Sequence, residues 1–183
     1  MSETQVVRNC APTLAGIKTG SLFPCSCENK DALLQSIRSI NRKLSKKGLR
    51  CVPLRFSGTK VLIYVYRPEK LRADLMDHTA QTILDQQGYS PGNADKCLVQ
   101  LAKKLRGNSD FPHEIGLFLG YPAEDVHGFM VNKACSCKCA GCWKVYGDVE
   151  SAQKKFAQYK KCTRIYCQLY AQGKDIDRLT VAC

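Results

Sequence analysis

The sequence lacks the long apolar runs and the reaction motifs that would assign it to a class directly. Its longest apolar run, VLIYVY from Val61 to Tyr66, is far shorter than the roughly 20 residues that span a bilayer. The N-terminal MSETQVVRN has no apolar core, so we expect no secretory signal and a cytoplasmic protein. No Walker loop, Rossmann glycine pattern, HExxH or GxSxG occurs. These absences leave the type of reaction open.

Histidine and tryptophan are scarce, with three copies and one copy among 183 residues. Two of the histidines and the tryptophan fall between Phe111 and Asp148, together with four closely spaced cysteines and an acidic cluster. This stretch is therefore the first place to look for a functional site.

Cysteine, in contrast, is abundant, with 12 copies. Disulfides are disfavoured in the cytoplasm, so the candidate roles are metal ligation, catalysis, redox chemistry and packing. Free cysteine is among the most buried residue types, and packing is the default expectation for most of the 12.

Positive charge is also abundant, with 28 Lys and Arg against 16 Asp and Glu, a net charge of +12. The basic residues are scattered, and none lies in a block of five or more like charges. The C-terminal helix–Gly–helix pattern is similar to the start of a helix-turn-helix, but the sequence stops at Cys183 before a recognition helix. We therefore expect a basic surface and regard nucleic acid as an unlikely partner.

Hydrophobic periodicity and turn residues predict an α+β fold, in one domain over residues 1–183 with a sheet of about four strands covered by several helices. Runs 50–56 and 61–66 predict a hairpin, with Pro53 toward a sheet edge. Further strands are predicted at His113–Tyr121 and Trp143–Tyr146. Helices are predicted from Pro12, over 31–47, 68–87, 93–106 and 122–131, and from Asp148 to about Gly173.

One candidate site pairs Cys10 with His113. A thiol at the N-terminus of a helix beginning near Pro12 would be stabilised as a thiolate by the helix dipole. His113, opening a strand, could then act as general base, with Glu114 or Asp125 orienting its ring. This layout is similar to that of papain-like enzymes, although their local signature is absent. The other reading is a buried small residue and an ordinary strand-end histidine.

A second candidate site is the C-x-C-x-C-x-x-C pattern of Cys135, Cys137, Cys139 and Cys142. The spacing suits zinc, an iron–sulfur cluster or copper(I). Structural zinc usually draws on two C-x-x-C pairs, and the sequence has one. The alternative is a flexible loop that carries cysteines without a metal, so the cofactor stays unknown.

Three segments resemble a family of proteins from anaerobic Firmicutes, the domain of unknown function 3793. They are CAPTLAGIKTGSLF from Cys10, HEIGLFLGYPAEDV from His113 and CWKVYGD from Cys142. The resemblance runs along nearly the whole chain and implies one full-length domain without implying a reaction. It departs at CSCKCAGC, where the family has fewer cysteines. It favours the residues inside the shared motifs, adding Tyr121 and Trp143 as pocket candidates.

Three functional hypotheses follow. The first is a cysteine-nucleophile hydrolase or acyltransferase that uses Cys10 and His113. The second is a non-enzymatic metal or redox protein that uses the loop cysteines. The third is a basic binding or scaffold domain.

Overall fold

The structure, a computed structural model, describes residues 1–107, 111–133 and 135–182. The chain divides into two compact units. The sheet unit comprises Met1–Glu69 and Tyr159–Cys183, and the helical unit comprises Lys70–Gln158. Among the described residues, no helix has both the length and the apolar composition that crossing a membrane requires.

The sheet unit contains a three-stranded antiparallel sheet in the order β1-β3-β2. The strands are β1 (Gly20–Ser26), β2 (Arg50–Ser57) and β3 (Lys60–Tyr66). A tight turn with Gly58 at φ 55° joins β2 to β3, a conformation that glycine adopts without steric cost. In β3, Val61, Ile63 and Val65 alternate onto the face of the sheet that carries the core of this unit.

Helices α1 (Glu3–Leu14), α2 (Lys30–Leu44) and α9 (Ile176–Leu179) contribute to that core. A capping box starts α1, because Ser2 and Gln5 each satisfy the other's backbone N–H. The apolar face of α2 buries Leu33, Ile37, Ile40 and Leu44, at the spacing of an amphipathic helix. A 3-10 turn, Ser45–Lys47, continues α2 before Gly48 reverses the chain.

Two side chains tie the ends of these elements together. Arg67 is 1% exposed and donates to the carbonyl oxygens of Thr13 (2.7 Å), Leu14 (2.8 Å) and Val181 (2.7 Å). It thereby satisfies the last carbonyls of α1, which have no partner within the helix. Asn41 of α2 donates to the carbonyl of Cys51 in β2 (2.7 Å) and accepts from its N–H (2.8 Å).

The helical unit is built from short helices and one two-stranded hairpin. Its elements are α3 (Pro68–Leu75), α4 (His78–Gln86), α5 (Ala94–Arg106), α6 (Ile115–Phe118), α7 (Ala123–Asn132), β4 (Cys139–Ala140), β5 (Lys144–Val145) and the start of α8 (Val149–Ala171). The unit boundaries fall within α3 and α8. Helix α7 packs against α4, α6 and β5.

The structure confirms the mixed α and β composition, but the sheet prediction needs correction. The main sheet has three strands and the hairpin has two. The predicted strand His113–Tyr121 is wrong, because its apolar run forms the one-turn helix α6. Strand β1 was not predicted at all. The β2–β3 hairpin lies where the sequence placed it, and the single-domain assignment stays a prediction.

Candidate functional site

Cys10 is not at a helix N-terminus. Helix α1 begins at Glu3, so Cys10 lies in its interior, and the prediction of a helix starting near Pro12 is wrong. The Cys10 side chain is 0% exposed within the core of the sheet unit. Burial raises the pKa of this thiol far above its ordinary value, and the nearby Cys51 thiol raises it further. Such a thiol is kept protonated and is not accessible from solvent.

His113 lies in the helical unit, exposed, in the turn before α6. Its ring meets the edge of Phe129 with centroids 4.9 Å apart, and Phe111 lies at 6.3 Å. Cys10 and His113 therefore belong to different compact units. Within the described part of the chain, the ring contacts of His113 are with Phe111 and Phe129.

Glu114, predicted to orient His113, makes a different set of contacts. Its carboxylate is 3% exposed and accepts hydrogen bonds from the Tyr89 hydroxyl (2.8 Å) and the Lys104 ammonium (3.0 Å). Lys104 also donates to the Gln87 carbonyl (2.7 Å) and lies 4.4 Å from the centre of the Tyr89 ring. Burial and the bond to Glu114 raise the pKa of Tyr89. This cluster joins α5 to the segments before α5 and α6.

Asp125, the other predicted orienting residue, is 3% exposed on α7. One of its oxygens accepts the Trp143 indole N–H at 2.7 Å. The other accepts the backbone N–H groups of Tyr146 (2.7 Å) and Gly147 (2.8 Å). A buried carboxylate that accepts three N–H bonds is well compensated. Asp125 therefore anchors the end of β5 and fixes the plane of the Trp143 ring.

Trp143 is the centre of an aromatic cluster. The Tyr121 ring stacks on it with centroids 4.8 Å apart, and the Phe156 ring meets it edge-on at 4.5 Å. The Tyr121 hydroxyl also donates to the Cys142 carbonyl at 3.2 Å. Gly141 lies so close to the Phe156 ring that a Cβ at this position would collide with it. The rings are thus held by packing on one side and by Asp125 on the other.

These residues border a cavity of about 380 Å³, which we call the aromatic cleft. Among the described residues, its lining is mostly apolar, with one carboxylate, one imidazole and one ammonium group. The lining residues are Phe111, His113, Ile115, Gly116, Tyr121, Asp125, Val126, Phe129, Ala140, Gly141, Trp143 and Lys144. Four predicted site residues therefore share one cavity: His113, Tyr121, Asp125 and Trp143.

A second cavity of about 410 Å³ shares two residues of the cleft, Phe111 and His113. Its other lining residues include Gln87, Lys104 and Glu114. His113 thus borders an aromatic cavity and a more polar one.

The sequence prediction missed Phe111, Phe129, Gly141 and Lys144 as lining residues. A signal for Phe129 was present, because it follows Asp125 by four residues on α7 and so shares its helix face. Phe111 and Lys144 carry no such signal, since their positions depend on turns that periodicity does not describe.

The structure describes where the four loop cysteines lie, and their assignment as metal ligands stays a prediction. Cys139 lies in β4 and pairs with Val145, whereas Cys135 and Cys142 are exposed. Within the described ranges, no three His, Cys, Asp or Glu side chains are placed to hold a metal ion. The hydroxyl of Tyr146 is buried and has no hydrogen-bond partner among the described residues. Burial raises the pKa of this hydroxyl, and the Cys137 and Cys135 thiols raise it further.

Comparisons with known proteins give one match. Residues 6–180 match a family model described as Protein of unknown function (DUF3793). The searches of curated proteins and of solved structures gave no match.

Proposed function

We propose that this chain, which belongs to the DUF3793 family of proteins of unknown function, binds a small aromatic molecule in the aromatic cleft. The observation that carries the proposal is the Tyr121–Trp143 ring stack fixed by Asp125 beside an open, mostly apolar cavity. The ligand class follows from the size, the ring surfaces and the polar groups of that cavity.

The cavity size supports a ligand of one or two rings. Its volume of about 380 Å³ lies at the small end of the range of about 300–1,000 Å³ for ligand pockets. Aromatic side chains interact with ligand rings by offset stacking or edge-to-face contact. Phe111 and Phe129 supply ring surface in addition to the stacked pair, and Phe111 is 47% exposed.

The polar groups of the cleft favour a neutral or anionic substituent on that ring. The Asp125 carboxylate is already bound by three N–H donors, and its geometry is set by them. His113 and Lys144 supply an imidazole and an ammonium group that can donate hydrogen bonds. A carboxylate or phenol on the ligand would therefore be matched by donors.

A Cys10 nucleophile has less support. Its thiol is buried, its pKa is raised, and it lies within α1 and not at its start. A reactive thiolate needs the opposite conditions, namely exposure and an electropositive environment. The binding proposal therefore rests on the cleft alone and requires no covalent step.

The only tryptophan of the chain lines the cleft, so its fluorescence reports on ligand binding directly. We would titrate the protein with 3-phenylpropionate, 3-phenylpropanol and 3-phenylpropylammonium, which share a ring and differ in charge. We expect saturable changes in Trp143 emission, with the propionate binding more tightly than the ammonium compound.

Variants locate the binding. Phe129→Ala should weaken the binding of 3-phenylpropionate about 2- to 10-fold, because an aromatic pair contributes about 0.5–1.5 kcal/mol. Phe56→Ala, which removes an exposed ring of the sheet unit, is the matched control and should bind like the wild type. The proposal is wrong if all three probes leave the emission unchanged at millimolar concentration. It is also wrong if both variants bind 3-phenylpropionate as tightly as the wild type does.

A further inference from the structure

The positive charge of the chain is concentrated in one of its two units. The sheet unit holds 17 Lys and Arg against six Asp and Glu, whereas the helical unit holds 11 against 10. The net charges are therefore +11 and +1. The unequal distribution of charge between the units cannot be read from the sequence, because the sheet unit combines segments from both ends of the chain.

Part of this charge is arranged as a line on α2 and the 3-10 turn that continues it. Arg38, Arg42 and Lys46 follow one another at four-residue intervals, and all three are exposed. At a rise of 1.5 Å per residue, successive cations lie about 6 Å apart along the helix, on one face. We call these three residues the basic stripe.

The basic stripe borders a cavity of about 640 Å³ formed with α9 and the segment before it. Arg42, Lys46 and the exposed Arg178 line it, together with Lys43, Gly173, Asp175 and Asp177. Four bases therefore face two acids. Among the residues that the structure describes, no aromatic side chain lines this cavity.

An ion-pair network fixes the floor of this cavity. The Lys43 ammonium binds Glu3 of α1 (2.8 Å) and Asp175 (3.1 Å), and Asp175 also accepts the Asp177 N–H (2.9 Å). The charges of Lys43 and Asp175 are thus used within the protein. The exposed Arg42 and Lys46 therefore offer their charges to an external anion, whereas Arg178 also helps to lower the pKa of the Asp175 carboxyl.

We propose that the sheet unit binds the phosphate backbone of a nucleic acid along the basic stripe. Regularly spaced cations over about 12 Å match a linear polyanion better than a single small anion. The described part of the lining offers charge and hydrogen-bond donors but no ring surface for stacking bases. The binding should therefore depend on phosphates and salt and only weakly on base sequence.

The test uses the full chain with fluorescein-labelled RNA and duplex DNA of about 20 nucleotides, and it follows fluorescence anisotropy between about 50 and 200 mM salt. We expect binding that weakens steadily as salt increases. Absence of binding to either probe at the lowest salt overturns the proposal.

The decisive variant is Arg38→Gln/Arg42→Gln/Lys46→Gln. Its matched control is Lys70→Gln/Lys96→Gln/Lys155→Gln, which removes three exposed charges from the helical unit. The stripe variant should weaken binding about tenfold or more and reduce the salt slope by about 2–3. The control should change affinity less than about twofold. Equal losses in both variants would show a net-charge effect and overturn the proposal.

Two competitors distinguish the source of the phosphates. Unlabelled RNA should displace the probe, whereas inorganic phosphate at equal phosphate concentration should not. Vesicles with anionic headgroups should compete less well than RNA. Stronger competition by the vesicles than by RNA would overturn the assignment to nucleic acid.

Discussion

The carboxylate of Asp125 accepts the indole N–H of Trp143 at 2.7 Å, with both side chains at least nine-tenths buried. The other oxygen of Asp125 takes two backbone N–H groups from the residues that follow β5. One side chain on α7 therefore determines the position of the hairpin, of the tryptophan and of one wall of the aromatic cleft.

Removing this carboxylate should destabilise the protein. Asp125→Ala leaves three N–H groups without their acceptor, and we expect the free energy of unfolding to fall by about 2–4 kcal/mol. Urea denaturation followed by far-ultraviolet circular dichroism measures this change in every variant, including one without the tryptophan. Trp143→Phe should cost less, since two of the three bonds to Asp125 remain. The exposed Asp85→Ala is the control and should stay within about 0.5 kcal/mol of the wild type; an equal effect of Asp85→Ala and Asp125→Ala would contradict this account.

Burial should separate the cysteines by reactivity. In the folded protein at pH 8, iodoacetamide should modify the exposed Cys135 and Cys142 first, as read by peptide mass spectrometry. Cys10 and Cys51 should react only after urea is added, because both are buried and burial raises the pKa of each thiol. Alkylation of folded Cys10 as fast as that of Cys135 would restore the nucleophile hypothesis.

The Cys51 thiol should make stability fall at alkaline pH. Burial, with a further contribution from Cys25, raises the pKa of Cys51 from 9.0 to about 12. The contribution of this thiol to the free energy of unfolding is therefore complete below pH 9.0 and is lost toward pH 12. The reason is that Cys51 ionises at lower pH in the unfolded chain than in the folded protein. The loss is at most about 1.4 kcal/mol per pH unit from this group.

Urea midpoints between pH 8 and pH 10.5 test this prediction. Cys51→Ala should show a shallower decline with pH than the wild type. Val65→Ala removes a buried side chain paired with Cys51 across the sheet and cannot titrate. It should be less stable at every pH with an unchanged slope. Parallel curves for the wild type and Cys51→Ala would refute the assignment.

Arg67 should be essential to the packing of the chain end. Arg67→Met keeps the apolar stem but removes the donors to the carbonyls of Thr13, Leu14 and Val181. We expect a loss of about 2–4 kcal/mol in urea and faster trimming of the C-terminus by carboxypeptidase. Arg38→Met, at an exposed position of α2, should do neither. Trimming at the wild-type rate would argue against this role.

Local patterns predicted the elements whose signals are contained in a short stretch. Helix α2 has an apolar face at regular spacing, and the β2–β3 hairpin has two β-favouring runs around Gly58. The start of α1 was also readable, since Ser2 and Gln5 have the spacing of a capping box. A prediction that overlooks this capping box begins the helix near Pro12 and so places Cys10 at the helix start, whereas Cys10 lies in the interior of α1.

Other features depend on contacts that no local pattern encodes. The apolar run from Ile115 to Leu119 is buried on all sides, so periodicity cannot distinguish a strand from a helix there. Gly116 allows this run to pack closely on α7, because a Cβ on it would lie 2.7 Å from Val126. Strand β1 contains Pro24 and pairs with β3 about 40 residues later. The aromatic cleft likewise arises from residues brought together by turns.

The two hydrogen bonds between the Asn41 amide and the Cys51 backbone also bear on aggregation through the edges of the sheet. Strand β2 is an outer strand of its sheet, and an outer strand with unoccupied backbone groups can recruit a foreign strand and seed aggregation. The Asn41 amide occupies both backbone groups of Cys51, and Pro53 removes a donor two residues later. Pro24 has the same effect in β1, the opposite outer strand. Both margins of the sheet are thereby shielded against intermolecular β-pairing.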